Sequence, residues 1–213
     1  MTFPPALQIA IDGPAASGKT TVARLVAKRL GIPCLDTGAM YRALAYLALQ
    51  TDTGVGDGEA LAGLVDAANA QTFTEAMLQH AGVTAVVSTV AAHPQVRAAM
   101  VEAQRRIAGR DPIVMTGRDI GTVVLPNAAV KIYLTATATA RAARRREQLQ
   151  EAGTDARDVR HEIEERDRVD STRAVSPLEP APDAHTIDSS DLPVQRVVDE
   201  ICAIAARAKT LAR

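Results

Sequence analysis

The segment Gly13–Thr20, with the sequence GPAASGKT, has the glycine and lysine spacing of a loop that binds the phosphates of a nucleoside triphosphate. An apolar run precedes it and a run with helical spacing follows it, which is the strand–loop–helix context that this motif needs. Glycine lets such a loop curl until its backbone N–H groups point at phosphate oxygens, and the N-terminus of the following helix adds about half a positive charge. Lys19 is expected to reach the outer phosphates, and the Thr20 hydroxyl is expected to bind Mg²⁺. We expect the triphosphate to contact Gly13, Pro14, Ala15, Ala16, Ser17, Gly18, Lys19, Thr20 and Thr21.

Two further segments carry arginine directly after predicted strands. Asp36–Arg42, with the sequence DTGAMYR, follows the second strand, and Gly117–Asp119, with the sequence GRD, follows the third. In open α/β folds the carboxyl ends of the strands meet at one edge of the sheet, and ligands bind there. Because the arginine fork fits phosphate with two hydrogen bonds, we expect a second phosphate site near the loop. Two neighbouring phosphate sites favour a small-molecule or nucleotide kinase.

Apolar runs that alternate with helical periodicity predict an α/β fold with a five-stranded parallel sheet flanked by helices. The predicted strands are residues 6–11, 32–35, 112–116, 130–134 and 186–188. The predicted helices are residues 21–30, 39–50, 59–70, 82–93, 94–107, 137–150 and 155–169, with a break at 151–154, and a last helix that opens at Ser190. Residues 51–107 have no clear strand signal, so we expect them to form a mostly helical inserted lobe.

The chain has 213 residues and a net charge of −1, which gives no general electrostatic reason to expect binding to nucleic acid or to an anionic membrane. Cys34 and Cys202 lie in apolar runs without metal-ligand spacing, which is typical of thiols in a reducing compartment. The sequence has no leader pattern and no run of about 18 apolar residues. These features predict a cytoplasmic protein, and we also expect it to be a monomer whose partners are small molecules.

The phosphate-binding loop alone leaves several protein classes open. The N-K-x-D motif and the D-x-x-G switch of GTPases are both missing from the sequence. Two alternatives to a nucleotide kinase are a kinase of another small metabolite, such as a shikimate-like kinase, and a regulatory protein that binds nucleotide without turnover. Lys19, Thr20, Arg42 and Arg118 are all intact, which disfavours the regulator.

From about residue 7 to residue 205 the chain resembles bacterial cytidylate kinases, which phosphorylate CMP and dCMP with ATP. The resemblance rests on five segments in the same order: IDGPAASGKTT, LDTGAMYRA, VSTVAAHPQVR, GRDIGTVVLPNA and RDRVDSTRAVSPLEPAPDA. It implies a single P-loop kinase domain over residues 1–213, with ATP as phosphoryl donor and Mg²⁺ as cofactor. The core is expected at about 6–50, 108–140 and 170–210, the lobe that binds the nucleoside monophosphate at about 51–107, and a short lid at about 141–169.

The resemblance implies that Ser88, Arg97 and Asp119 hold the base of the acceptor. Cytosine presents acceptors at its ring nitrogen and carbonyl, which suit Arg97, and an amino donor, which suits a carboxylate or a hydroxyl. Uracil reverses donor and acceptor at the ring nitrogen and the exocyclic group, and a buried mismatch costs about 1–3 kcal/mol for each unsatisfied group. Without the resemblance, Arg97 would be interpreted as a solvated helix charge and Ser88 as an ordinary helix residue.

The other substrate and catalytic assignments also follow from the resemblance. Arg42 and Arg118 match ligands of the acceptor phosphate, with Thr37 and Tyr41 beside them. Arg166 and Asp170 match residues that hold the ribose hydroxyls, and Arg173 matches an arginine near the reacting phosphates. By itself, residues 164–173 would be a charged helix face closed by local salt bridges, an interpretation that suits Asp167 and Arg168 best.

Arg141, Arg144 and Arg145 project together, because their spacing places them on one side of a helix. In the family a short lid lies here and folds over the donor phosphates, so Arg144 and Arg145 are assigned a catalytic role together with Lys19 and Arg173. The alternative for each arginine is an ordinary position on a solvated basic helix.

Three further expectations concern the metal and the inserted lobe. Asp36 either holds Mg²⁺ through a bound water or caps the helix that follows it, and side-chain preference does not separate the two. Thr116 stands where many relatives have an aspartate, so Asp36 and Asp119 must supply the negative charge near the metal. The segment between Gln50 and Ser88 is shorter than in relatives with a long insert, so we expect the small antiparallel sheet of those relatives to be reduced or missing.

Overall fold

A computed structural model describes residues 7–109, 111–148 and 156–211, with the backbone alone for 156–158 and 209–211. Its strands are β1 Gln8–Asp12, β2 Cys34–Asp36, β3 Ile113–Gly117, β4 Val130–Thr135 and β5 His185–Asp188. Its helices are α1 Lys19–Leu30, α2 Thr37–Gln50, α3 Gly58–Gly63, α4 Val65–Ala70, α5 Glu75–Leu78, α6 Ala81–Ala92, α7 Pro94–Ala108, α8 Ala138–Gln148, α9 Ala156–Thr172 and α10 Val194–Leu211, and one π-helical turn spans Ile120–Val124. The predicted break at 151–154 lies outside the described residues.

The five strands form one parallel sheet in the order β2-β3-β1-β4-β5. β1 lies at its centre, where Ile9 pairs with Val114 on one side and with Val130 on the other. Apolar side chains cover both faces of this strand, since strands of a parallel sheet are buried on both sides. The predicted five-stranded parallel sheet is therefore confirmed.

The chain divides into two compact units, a first unit of Met1–Leu35 and Arg110–Arg213 and a second unit of Asp36–Gly109. In the first unit, α1 and α10 pack on the sheet through apolar residues with helical spacing. These residues are Val22, Ala23, Val26 and Ala27 of α1 and Val197, Val198, Ile201 and Ala205 of α10. The proposed inserted lobe, residues 51–107, lies within the second unit together with α2.

Every regular element of residues 51–107 is a helix, which confirms the mostly helical lobe. One detail of that prediction is wrong: residues 59–70 form two short helices, α3 and α4, instead of one. Gly63 ends α3, and the N–H group of Leu64 turns back to the Leu61 carbonyl at 3.1 Å. A glycine at this point disfavours continuation of the helix, because glycine loses more backbone conformational entropy in a helix than other residues do. Among the described residues, no helix is both long enough and apolar enough to cross a membrane.

Gly13 lies where the backbone of the loop passes closest to the sheet. Its φ is +150°, and a Cβ atom placed there would lie 2.0 Å from the Leu134 carbonyl oxygen of β4. β4 is held between two neighbouring strands, so this carbonyl has no room to withdraw. Only glycine fits here.

We predict that Gly13→Ala destabilises the protein by about 3 kcal/mol or more, because the clash adds to the backbone strain. For a chain of this size the loss corresponds to a fall in Tm of roughly 6–12 °C, measurable by circular dichroism. Gly31→Ala is the matched control: Gly31 also has a positive φ, +67°, but nothing lies within 4 Å of its added Cβ. The control should lower Tm by only about 2–4 °C, and equal losses in both variants would rule out the clash.

Candidate active site

The phosphate loop, Gly13–Thr20, connects β1 to α1 as predicted, and α1 begins at Lys19, two residues earlier than expected. Ala16 and Gly18 adopt positive φ values of 57° and 91°. Such alternation curls the backbone so that successive N–H groups face one concavity, which suits an anion. The Lys19 ammonium is buried and donates to the Pro14 carbonyl at 2.5 Å and to the Ser17 hydroxyl at 3.2 Å. These contacts curl the loop around its own lysine.

Side chains from distant parts of the first unit hold the loop. Asp167 of α9 accepts the N–H of Ala15 at 2.8 Å, and Arg141 of α8 donates to the carbonyl of the same residue at 3.1 Å. Arg144 donates to the Ser17 carbonyl at 3.3 Å and to the Ser189 hydroxyl at 3.0 Å. The described loop is therefore hydrogen-bonded to α8, to α9 and, through Ser189, to the segment after β5.

One interpretation of these residues needs correction. Asp167 does not belong to an exposed face closed by local salt bridges: its side chain is only 17% exposed and pairs with Arg141. Arg168 does follow that description, since it pairs with Glu165 on the exposed side of α9. The sequence offered no signal for Asp167, because a carboxylate in a charged helix is ordinarily solvated and its contact with the loop spans 152 residues.

The three lid arginines of the sequence prediction have different surroundings. Arg141 is 8% exposed and donates to the Ala136 and Ala15 carbonyls and to Asp167. Arg144 also donates to the Ser189 carbonyl. Arg145 is half-buried and makes no hydrogen bond or ion pair with the residues that the structure describes.

Asp12, at the end of β1, is a buried acid that the sequence interpretation missed. Its carboxylate accepts the N–H groups of Ile120 at 2.9 Å and of Gly121 at 2.7 Å, the start of the π-helical turn that follows Arg118 and Asp119. Burial raises the pKa of Asp12 from 3.8 to about 6; the two N–H groups and Lys19 lower it, while Asp119 adds to the rise. An acid that ends an apolar strand was the available signal. Asp12 therefore joins the strand before the phosphate loop to the backbone that carries the GRD motif.

Asp170 brings together two arginines of the predicted substrate set. Its two carboxylate oxygens accept from Arg118 at 2.8 Å and from Arg173 at 3.1 Å. Arg173 also donates to the Ser176 carbonyl at 2.6 Å. Burial alone would raise the pKa of Asp170, but the arginines, including Arg166, outweigh it and lower the pKa. The carboxylate thus stays ionised and holds Arg118 and Arg173 side by side.

In the second unit the predicted base-binding residues lie on α6 and α7. Arg97 of α7 is 2% exposed, and its guanidinium carbon lies 5.6 Å from the ring centre of Tyr41. It also donates to the Ala91 carbonyl at 3.4 Å. Ser88 is half-buried on α6. Contrary to the interpretation as a solvated charge, Arg97 is a buried cation that stacks on an aromatic face.

Asp36 and Arg42 frame the first turns of α2. Asp36 caps the helix, since it accepts the Ala39 N–H at 3.2 Å, and it lies 3.7 Å from the Arg42 guanidinium. Thr37 is buried in the first turn of the same helix. The capping alternative for Asp36 is therefore confirmed by the structure; a metal role is a separate matter. Thr116 of β3, where an acid was expected, is almost fully buried.

The predicted site residues divide between the two units. The first unit contains Gly13–Thr21, Arg118, Asp119, Arg144, Arg145, Arg166, Asp170 and Arg173. The second unit contains Asp36, Thr37, Tyr41, Arg42, Ser88 and Arg97. Among the described residues, no group of three or more histidine, cysteine or acidic side chains forms a ready-made metal site.

Comparison with known proteins gives consistent results. The family model described as "Cytidylate kinase" matches residues 9–207. Cytidylate kinases of Pelotomaculum thermopropionicum and Lactiplantibacillus plantarum are 47% and 46% identical to the chain, over 92% and 93% of this chain and 94% of each relative. Among solved structures, a gluconokinase from Sinorhizobium meliloti 1021 matches with a TM-score of 0.52 and 14% identity, over 97% of this chain and 95% of that one. The last likeness concerns the fold alone.

Asp12 makes the stability depend on pH in a specific direction. Because its folded-state pKa is raised, the native state binds the proton more tightly than the unfolded state, and its contribution to stability falls as the pH rises from 3.8 through about 6. This shift corresponds to about 3 kcal/mol. We predict that Asp12→Asn removes this pH-dependent component. The unfolding free energy of the variant, minus that of the wild type, should therefore increase by up to about 3 kcal/mol between pH 4 and pH 7.

Urea unfolding at a series of pH values measures this difference. Asp183→Asn is the control: the hydrogen bond from Lys131 lowers the pKa of the exposed Asp183 below 3.8, so this carboxylate changes stability chiefly below pH 4, and removing it should leave the slope between pH 4 and pH 7 nearly unchanged. Parallel curves for wild type and Asp12→Asn would contradict the prediction.

Proposed function

The chain belongs to the cytidylate kinase family and is thus a phosphotransferase that uses ATP and CMP. We propose a role in this reaction for each of its predicted site residues. The reaction is a reversible transfer of the γ-phosphoryl group of ATP to CMP or dCMP, giving CDP or dCDP. The observation that carries the base assignment is the buried Arg97 stacked on Tyr41.

The phosphate loop takes the donor. Gly13–Thr21 supplies N–H groups toward the ATP phosphates, and the Lys19 ammonium exchanges its contacts with Pro14 and Ser17 for phosphate oxygens. This exchange is favourable because a carbonyl and a hydroxyl attract a cation less strongly than a phosphate does.

Mg²⁺ fits the donor chemistry of this chain. Thr20 and Asp36 offer the hydroxyl and carboxylate oxygens that Mg²⁺ prefers, and we propose that they hold it directly or through water. Mg²⁺ ordinarily keeps several waters and binds substrate phosphates, so a cage of three protein ligands is not required. When bound, it neutralises charge on the phosphates.

The acceptor base falls to Ser88, Arg97 and Asp119. Arg97 donates to the ring nitrogen and carbonyl of cytosine, and the hydroxyl or carboxylate accepts from its amino group. Tyr41 limits where the guanidinium can point, since a buried arginine that lies over an aromatic ring has few other rotamers available. Uracil would face Arg97 with an N–H group instead of an acceptor.

We propose that the phosphate and the ribose of CMP bind to arginines and to one acidic residue. Arg42 and Arg118 bind the CMP phosphate, with Thr37 and Tyr41 beside it, and Arg166 and Asp170 take the ribose hydroxyls. Asp170 accepts from both Arg118 and Arg173 and offsets one of their two positive charges. The cluster thus keeps both cations oriented and retains a net positive charge toward the substrate phosphates.

Catalysis in this family of reactions rests on positioning and charge, without a covalent intermediate on the protein. We assign this work to Lys19, Arg144, Arg145 and Arg173. Unlike Arg141, Arg145 makes no hydrogen bond or ion pair with the residues that the structure describes. It can therefore turn toward the transferred group when the lid, about 141–169, closes. The monomeric state and the cytoplasmic location stay predictions from the sequence.

We predict that Arg97→Ala narrows the preference for CMP over UMP by roughly 10- to 100-fold in kcat/KM, because one or two base contacts worth about 1–3 kcal/mol are lost. A coupled assay with ATP and CMP, dCMP, UMP or AMP measures the ratios. Arg106→Ala is the matched control, an arginine on the exposed side of the same helix that pairs with Asp66 and Glu102. An unchanged CMP to UMP ratio would remove Arg97 from the base site; a wild type most active on UMP or AMP would reject the base assignment as a whole.

We predict that Arg145→Ala lowers kcat by roughly 10³-fold with a small change in the KM for CMP, because a cation facing the transferring group acts chiefly in the transition state. Arg146→Ala, the exposed neighbour on α8, should keep kcat within about twofold, as expected of a solvated surface charge. Equal effects in the two variants would mean that Arg145 acts only as part of the general positive charge of α8.

A further inference from the structure

Both backbone polar groups of Ala15 are held by one ion pair. Asp167 accepts the Ala15 N–H at 2.8 Å, Arg141 donates to the Ala15 carbonyl at 3.1 Å, and the two side chains pair with each other. The N–H belongs to the peptide before Ala15 and the carbonyl to the peptide after it. Two successive peptides of the phosphate loop are therefore oriented from outside.

Arg141 and Asp167 are themselves firmly placed. Arg141 also donates through its Nε to the carbonyl of Ala136, the first residue after β4. Around the ion pair, an apolar cluster of Ala15, Ala142, Val159 and Ile163 packs the loop against α8 and α9, with Ala16 at its edge. The ion pair thus has fixed ends on both helices.

Stability alone does not account for this arrangement. An ion pair that is mostly withdrawn from water gains little net free energy, because desolvation offsets the attraction. A carboxylate next to a loop that must accept a polyanion also repels it, unless a cation compensates. Arg141 supplies that compensation, so Asp167 can accept an N–H without leaving a net negative charge beside the phosphates.

The position of the pair matches a point of backbone strain. The next residue, Ala16, has a positive φ of 57° although it carries a Cβ. Non-glycine residues in this conformation cost about 1–3 kcal/mol and persist when their surroundings enforce them. The fixed peptides on either side of Ala15 enforce the turn from which the following N–H groups, those of the triphosphate cradle, take their direction.

We propose that Asp167 and Arg141 are positioning residues that hold the phosphate loop in its anion-binding shape before ATP arrives. This inference rests on the proposed role of the loop as the ATP site. It assigns Arg141 to the loop, whereas Arg144 and Arg145 are the arginines proposed for the ATP phosphates. The loop loses its conformational entropy when the protein folds, so this loss does not reduce the free energy of ATP binding.

Removing Asp167 should therefore weaken ATP binding and leave the acceptor side intact. We predict that Asp167→Ala raises the Kd for Mg-ATP, measured by calorimetry in the absence of CMP, at least 10-fold, with the KM for CMP changed less than twofold. Asp167→Asn keeps an oxygen for the Ala15 N–H and loses only the charge, so its Kd should lie between those of wild type and Asp167→Ala. Glu164→Gln is the matched control, an exposed carboxylate on the same helix paired with Arg160, and should bind Mg-ATP like wild type.

Three results would overturn the proposal. Tighter Mg-ATP binding by Asp167→Ala would mean that the carboxylate occupies an N–H group that the phosphates need. Unchanged Mg-ATP binding would leave the ion pair a structural contact, and parallel losses of ATP and CMP affinity would indicate general damage. If Asp167→Ala does not fold, Asp167→Asn and Arg141→Lys decide by the same measurements: each must weaken Mg-ATP binding at least threefold with an unchanged KM for CMP. ATP binding is measured without acceptor, so a failure of the CMP assignment would show only in the acceptor panel and would leave this test unaffected.

Discussion

A loop that binds a triphosphate must point several N–H groups at one place, and most features of the first unit follow from this constraint. Each peptide that turns its N–H inward directs a carbonyl elsewhere, and a withdrawn carbonyl needs a donor. Here Lys19 donates to the Pro14 carbonyl and Arg141 to the Ala15 carbonyl. Arg144 and Ser189 both donate to the Ser17 carbonyl. Two arginines of α8, Arg141 and Arg144, thus support the loop from outside.

The parallel sheet allows these supports to come from distant parts of the chain. β1 lies at its centre, so the loop that follows it adjoins the ends of β3 and β4, and β5 is one strand further. Asp12 uses this arrangement most directly, since it ends β1 and caps the turn after β3. Burial of an ionised carboxylate is unfavourable by itself, and this cost raises the pKa of Asp12. Its two N–H contacts link the end of β1, directly before the phosphate loop, with the backbone that follows Arg118 and Asp119.

The second unit contains Arg97, the cation that we propose to bind the base. Arg97 is buried, yet its charge is accommodated by the face of Tyr41 and by the Ala91 carbonyl. This environment limits where the guanidinium can point. A flexible arginine would satisfy either pyrimidine by moving, whereas a held one distinguishes an acceptor from a donor.

The sequence by itself determined the family, the five parallel strands, the phosphate loop and the helical lobe, because these depend on local motifs and on periodicity. Through the resemblance of their motifs it also predicted substrate-binding roles for Arg97 and Arg118, and these roles stay predictions. Only the tertiary structure decided that Asp167 and Arg141 hold Ala15, that Asp12 caps the turn after β3, and that Asp170 joins Arg118 to Arg173. The first two contacts join residues more than 100 positions apart, and the third spans 52. Sequence spacing carries no information at such separations, and a carboxylate in a charged helix has the same local pattern whether it faces water or the phosphate loop.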